Sequence, residues 1–128
     1  MTLPGIDNMT ALLGTFLDVQ SKRAEIVAGN LANADTPGYI AKELDFESFL
    51  KNAARESLRP ANSSSAPSIT ETPQVVEQES LTMGVDGNTV DTAREMATLA
   101  EAGGKYMQGT QFLQMRFRTL RSAIREGK

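Results

Sequence analysis

Residues 96–124 read MATLAEAGGKYMQGTQFLQMRFRTLRSAI, and this stretch decides the fold. Met96, Leu99, Gly103, Tyr106, Thr110, Leu113, Phe117, Leu120 and Ile124 stand alternately three and four residues apart. That spacing places one side chain per turn on a single stripe of an α-helix, the a/d seam of a heptad repeat. Gly103 and Thr110 weaken the seam without breaking its phase. Near the other end of the chain, Leu13, Leu17, Gln20, Ala24, Val27, Leu31 and Ala34 obey the same rule. The prediction is a mainly α fold in which long N- and C-terminal helices pack as a coiled coil or helical bundle. A chain whose adhesive surfaces are long terminal helices reads as an assembly subunit.

The first helix is expected from about Asp7 to Ala34, with Pro4-Gly5 as a breaker before it and Asp7, Asn8 or Thr10 as its cap. Leu12, Phe16, Val19 and Ile26 form a second seam beside the first, continued by Arg23, Asn30 and Asn33. Two adjacent seams make an apolar face wider than a two-stranded coil requires, so the helix is expected to meet more than one partner helix. Periodicity alone equally allows the buried helix of a small globular bundle.

Asp35-Thr36-Pro37-Gly38-Tyr39 ends this helix sharply. Proline disfavours helical backbone at Thr36, and Pro37-Gly38 suits the centre of a type II turn, whose third residue has positive φ. Asn30 and Asn33 fall in the last helical turn, where short amides bind freed carbonyls or pair across an interface. The plainer reading of both is a solvated helix end. The first unit, residues 1–39, is therefore helix plus turn. Residues 40–54 follow as a short amphipathic helix carrying Leu44, Phe46, Phe49 and Leu50. Residues 55–88 form a loop-rich middle segment. Within it Arg59 to Pro67 has linker composition, and Gln74-Val75-Val76 and Ser80-Leu81-Thr82 hint at short strands. Plain disorder is the competing reading of that segment, which Gly84 and Asp86-Gly87-Asn88 close with turns.

The last unit, residues 89–128, is the long C-terminal helix, and it forms one domain with the first. Thr92 with Glu95 has capping-box spacing, and Thr89 and Asp91 are competing caps. Gly103, Gly104 and Gly109 each cost about 1 kcal/mol against Ala inside a helix. They weaken the isolated helix, or else they admit a close neighbour. Arg116, Arg118, Arg121, Arg125 and Lys128 make its end basic. Without interleaved aromatic side chains, this reads as complementation of the negative helix terminus plus solubility rather than a nucleic-acid or lipid surface.

Composition closes off most chemistry. The 128 residues contain no Cys, no His and no Trp, so disulfides, thiolate or histidine metal sites and the usual catalytic triads are not expected. The carboxylates are scattered and Gly103-Gly104 lacks phosphate-loop spacing. No catalytic, cofactor-binding or metal residues are assigned, and the chain is not expected to be an enzyme. The formal charge of -3 argues against a general nucleic-acid binder. No stretch approaches the roughly 18 apolar residues of a membrane span. Met1 to Asp7 lacks the basic and apolar regions of a cleaved secretory signal, so export would take another route.

Gly29-Asn30-Leu31-Ala32-Asn33-Ala34-Asp35-Thr36-Pro37-Gly38-Tyr39 closely resembles the N-terminal motif of the bacterial flagellar rod, hook and hook-associated proteins. Asp35 through Phe46, Asp86 through Asp91, Arg94-Glu95-Met96 and Phe117 through Gly127 are similar to the rod proteins of the proximal end. The resemblance covers both ends and leaves residues 51–83 unsupported, while Gly103-Gly104 depart from the bulkier residues expected there. It implies a structural subunit of the proximal rod, exported unfolded by the flagellar type III apparatus and placed in the periplasmic part of the basal body. There its terminal helices would polymerise into a tubular drive shaft around the export channel. The implied partners are other rod subunits and the adaptor joining rod to membrane ring, in a homo- and hetero-oligomer. Asn30, Asn33, Thr36, Pro37, Gly38 and Tyr39 would carry the family turn. Leu13, Leu17, Val27, Leu31, Met96, Leu99, Tyr106, Leu113, Phe117, Leu120 and Ile124 would carry the packing. A small soluble helical adaptor or chaperone-like binding protein is the alternative, and a helical nucleic-acid-associated protein a further one.

Overall fold

The computed structural model describes residues 4–46, 48–49, 51–52, 73–79 and 83–127. The linker read at Arg59 to Pro67 and the strand read at Ser80-Leu81-Thr82 lie outside the described residues. Two long helices pack against each other, with a small two-stranded sheet inserted between them in sequence.

Helix α1 spans Pro4–Ala32. It begins earlier than Asp7 because proline, with no N–H and a preset φ, suits the first helical turn rather than preceding it. Helix α2 spans Thr92–Glu126, 35 residues, or roughly 52 Å at 1.5 Å per residue. Among its competing caps Asp91 takes the position, its Oδ1 accepting the Arg94 N–H at 3.1 Å. Thr89 and Glu95 are engaged elsewhere. At the far end the Gly127 N–H donates to the Ala123 carbonyl at 3.1 Å.

The sheet pairs β1 (Lys42–Leu44) with β2 (Val75–Glu77), antiparallel, with Glu43 opposite Val76. Bonds from Asp45 N–H to the Gln74 carbonyl (2.9 Å) and from Gln78 N–H to the Ala41 carbonyl (2.8 Å) extend the ladder at both ends. The strand expected at Gln74 to Val76 is present one residue along, but its partner comes from the segment read as a helix from residue 40. Helical backbone starts only at Phe46. Asp45 sets that start: its Oδ1 accepts the Ser48 N–H at 3.0 Å, and Ser48 holds the Asp45 carboxyl below its usual range.

The helices run antiparallel, since Asn30 meets Glu95 at one end and Gly109 meets Phe16 and Leu17 further along. A β-carbon on Gly109 would stand 2.8 Å from Leu17 Cδ2 and 3.1 Å from Phe16 Cδ1, so this glycine is what allows the close approach. Gly103 and Gly104 face open space. The buried line of α2 is Glu95, Ala102 and Gly109. It runs one residue before the predicted Met96, Gly103 and Thr110. The small residues let the two backbones close, and the bulky ones are displaced to the flank.

Candidate functional site

Where α1 ends, three segments converge on one buried side chain. Asn30 is fully buried and uses its whole hydrogen-bonding capacity. Its Nδ2 donates to the Lys42 carbonyl (2.7 Å) and to Glu95 Oε2 (2.9 Å). Its Oδ1 accepts from the Lys42 N–H (3.0 Å) and the Tyr39 hydroxyl (3.3 Å). The amide thus pairs with the Lys42 peptide as a neighbouring strand would, which explains why Lys42–Leu44 is extended. Glu95, also buried, receives a second donor at Oε1 from Gln78 Nε2 at 3.2 Å. One chain of bonds therefore joins α1, both strands' segments and α2.

A second knot fixes the turn. Gly38 has φ +71°, and the Tyr39 N–H donates back to the Thr36 carbonyl at 3.2 Å. This is the backbone that type II geometry demands and that L-residues resist. Asn33 Nδ2 donates to the Gly29 carbonyl at 2.9 Å, and the Thr36 hydroxyl donates to Asn33 Oδ1 at 3.2 Å. Neither Asn30 nor Asn33 is a solvated helix end. Asn88 Nδ2 reaches the carbonyls of Asn33 (2.9 Å), Ala34 (2.9 Å) and Thr36 (2.8 Å), so a residue 52 positions beyond Thr36 closes the end of α1. Gly87, at φ +80°, sits so near Gly38 that a β-carbon would lie 3.6 Å from the Gly38 Cα. The Gly38 N–H donates to the Asp86 carbonyl at 3.0 Å, and the Ala41 N–H donates to the Thr89 hydroxyl at 2.9 Å. Pro37 lies exposed on the outside of this turn.

The residues of the two predicted seams are distributed differently. Val27 is buried, and Leu13, Leu17, Leu31, Leu99, Leu113 and Leu120 are half-buried. Met96, Tyr106, Phe117 and Ile124 are exposed, Ile124 at 70%. Leu17 and Ala24 flank the contact line of α1, and Leu99, Tyr106, Phe117 and Ile124 flank that of α2. Antiparallel helices put these two flanks on one side of the pair. The opposite side carries β1 and a cleft of about 290 Å3 lined by Val19, Ile26, Leu44 and the Arg23–Glu101 ion pair (3.3 Å). Gln20 lines that cleft too, and its buried Oε1 has no hydrogen-bond partner. Charges around the cleft neutralise one another: Arg94 pairs with Glu43 at 3.6 Å, and the Glu101 carboxyl is held below its usual range by Lys105 and then Arg23. The arrangement joins the two helices by a polar lock at the turn and leaves apolar flanks open along them.

Glu95 and Asn88 are the residues that sequence reasoning missed. Glu95 has the local spacing of a capping box, and nothing local distinguishes that from burial. Asn88 follows a glycine in a turn signal, which gives the turn but not its distant target. Among the described residues no three His, Cys, Asp or Glu side chains group to hold a metal, and no helix is long and apolar enough to cross a membrane.

The family described as Flagella basal body rod protein matches residues 17–39, the second half of α1 and the turn. The chain is 35% identical over 126 residues to the flagellar basal body rod protein FlgB of Salmonella typhimurium, covering 87% of this chain and 88% of that protein. It is 32% identical to FlgB of Escherichia coli over 124 residues and 32% identical to FlgB of Yersinia enterocolitica over 126, each covering 87% of this chain. The alternative of a helical adaptor finds no support among these relatives.

Proposed function

The chain belongs to the flagellar basal body rod proteins, and from that premise we propose that it occupies the proximal rod. It is a structural subunit of the flagellar rod. In the proposed arrangement it crosses the membrane through the type III export apparatus, then polymerises through its helices in the periplasm. Its α1 and α2 line the export channel, its neighbours are other rod subunits and the adaptor on the membrane ring, and the interlocked helices carry torque outward.

The observation that carries this reading is the extent of the relationship, which spans both helices and the turn rather than one motif. The open flank of Leu99, Tyr106, Phe117 and Ile124 supports it physically. Burying such side chains is worth about 1.5–3 kcal/mol each, and within one chain this flank is only partly covered.

The test is complementation of a strain lacking the native gene, with a tagged chain located in purified basal bodies. Wild type should restore motility and co-purify with rods. Leu113→Asp, which puts a carboxylate on the half-buried flank, should be expressed and leave basal bodies without filaments. Recovery of motility with the tagged chain absent from basal bodies would refute the assignment.

A further inference from the structure

The two ends of the helix pair carry opposite charge, and both are apolar. At the distal end of α2, Arg118, Arg121 and Arg125 are exposed and form no ion pair among the described residues. Phe117 and Ile124 stand among them, 53% and 70% exposed. At the turn end, Asp35, Glu77 and Glu79 are exposed and likewise unpaired among the described residues. At the same end Met83, near Ala34 and Asp86, is 73% exposed, and Val85 projects completely from the loop whose Gly84 N–H donates to the Asn88 carbonyl at 2.8 Å. Each end therefore presents large apolar side chains among charges mainly of one sign, with Lys42 opposite Glu77 as the exception at the turn end and Glu126 beside Arg125 at the other, and the prevailing signs are opposite.

From this we infer that the distal end of α2 docks on the acidic turn end of a second copy of the chain, head to tail. The inference rests on the rod-subunit reading and adds to it the surface and the polarity of one contact. A contact between two different patches on identical chains is heterologous. Unless the rotation closes a ring, it propagates as an open helical array, the symmetry a shaft requires. An isologous pairing of either patch with itself would oppose like charges. The basic end of α2, which by sequence alone serves only the helix terminus and solubility, thereby gains a partner.

The experiment measures self-association of the full chain by sedimentation velocity, over a concentration series and at low and physiological ionic strength. Wild type should associate more tightly at low salt, where the screening length is about 30 Å instead of about 8 Å. Arg118→Glu with Arg121→Glu should weaken association about tenfold, and Asp35→Lys with Glu79→Lys by a similar factor. These positions spare the last turn of α2, the Glu77 strand pair and the Asp86 turn, and circular dichroism checks that helix content is kept. The combined four-residue variant should recover the wild-type constant, and so should an equimolar mixture of the two single-end variants. Absence of wild-type association, a tail variant that associates normally, or failure of both rescues would overturn the inference. So would loss of binding to phosphatidylserine vesicles in the tail variant with self-association unchanged, which would assign the arginines to a membrane surface. Complementation by the same variants separates the two levels. If they assemble rods normally while Leu113→Asp does not, the rod reading stands and the head-to-tail contact falls.

Discussion

Replacing Asn30 with Ala tests the lock at the turn. The substitution removes four hydrogen bonds at once and leaves the Lys42 N–H, the Lys42 carbonyl and Glu95 Oε2 without the partner they had. A buried polar group left unsatisfied costs about 1–3 kcal/mol. Water can reach the part-buried Lys42 peptide, so its two groups belong at the low end, whereas Glu95 is 1% exposed and keeps only Gln78. The sum is about 3–5 kcal/mol, a large part of the roughly 5–15 kcal/mol that holds an ordinary domain together. Asn30→Asp should be worse, because it sets a carboxylate oxygen where the donor to Glu95 stood, 2.9 Å away. Hydrogen exchange gives a direct readout, since the Lys42 amide donates to Asn30 Oδ1 and should lose its protection first. A double-mutant cycle of Asn30→Ala with Glu95→Ala should give a coupling above about 1 kcal/mol. Unchanged exchange at Lys42, together with additive destabilisation, would show that the network does not hold the junction.

Four further outcomes follow from the geometry and the charges. Gly38→Val places a β-branched residue at φ +71°, and cells carrying it should express the protein but fail to swim, while Gly38→Asn should retain partial motility. Gly109→Leu must push Leu17 and Phe16 aside and should lower stability by about 1–3 kcal/mol in thermal melts. Gly104→Ala, with nothing within 4 Å of the added carbon, should instead raise helix stability by about 1 kcal/mol. For Glu101, whose folded pKa lies below the ordinary 4.5 through Lys105 and then Arg23, the stabilisation is complete above the ordinary value and is lost as pH falls through the folded one. Glu101→Gln should flatten that acid limb in a pH series of melts.

The two helices and the turn were legible because each is written locally. A repeat of three and four residues states helix, and Pro37-Gly38 states positive φ at the second residue. The phase of contact was not legible. Met96, Gly103 and Thr110 form a better apolar stripe than Glu95, Ala102 and Gly109, yet the smaller stripe faces α1. Close approach rewards absent side-chain volume, and Glu95 is bonded from 65 residues away. Strand β1 was hidden for a related reason. Lys42-Glu43-Leu44 has no β pattern of its own, and its extension is imposed by the Asn30 amide, by Thr89 on Ala41 and by β2. Tertiary context overrode local preference there.

The same division between local and distant determinants bears on the free chain. Among the described residues the buried apolar side chains are Val19, Val27, Ala41, Pro73 and Ala102, a small core for helices of 29 and 35 residues. What orders the turn end is a set of specific bonds that one chain makes by itself. In the distal half Leu12, Phe112, Met115, Phe117 and Ile124 are exposed, and their burial depends on neighbours. Isolated helices gain too little from propensity to resist fraying, and Gly103 and Gly104 lower it further in α2. The purified monomer at low concentration should therefore show much less helix by circular dichroism than the folded subunit contains. Amide exchange should be slowest around Asn30, Lys42 and Glu95 and fastest toward Ile124. Added partner subunits should raise the helix content and slow exchange from the distal end inward. A monomer that is fully helical and evenly protected along α2 would show that the chain stabilises both ends alone, and the open flanks would then need another explanation than assembly.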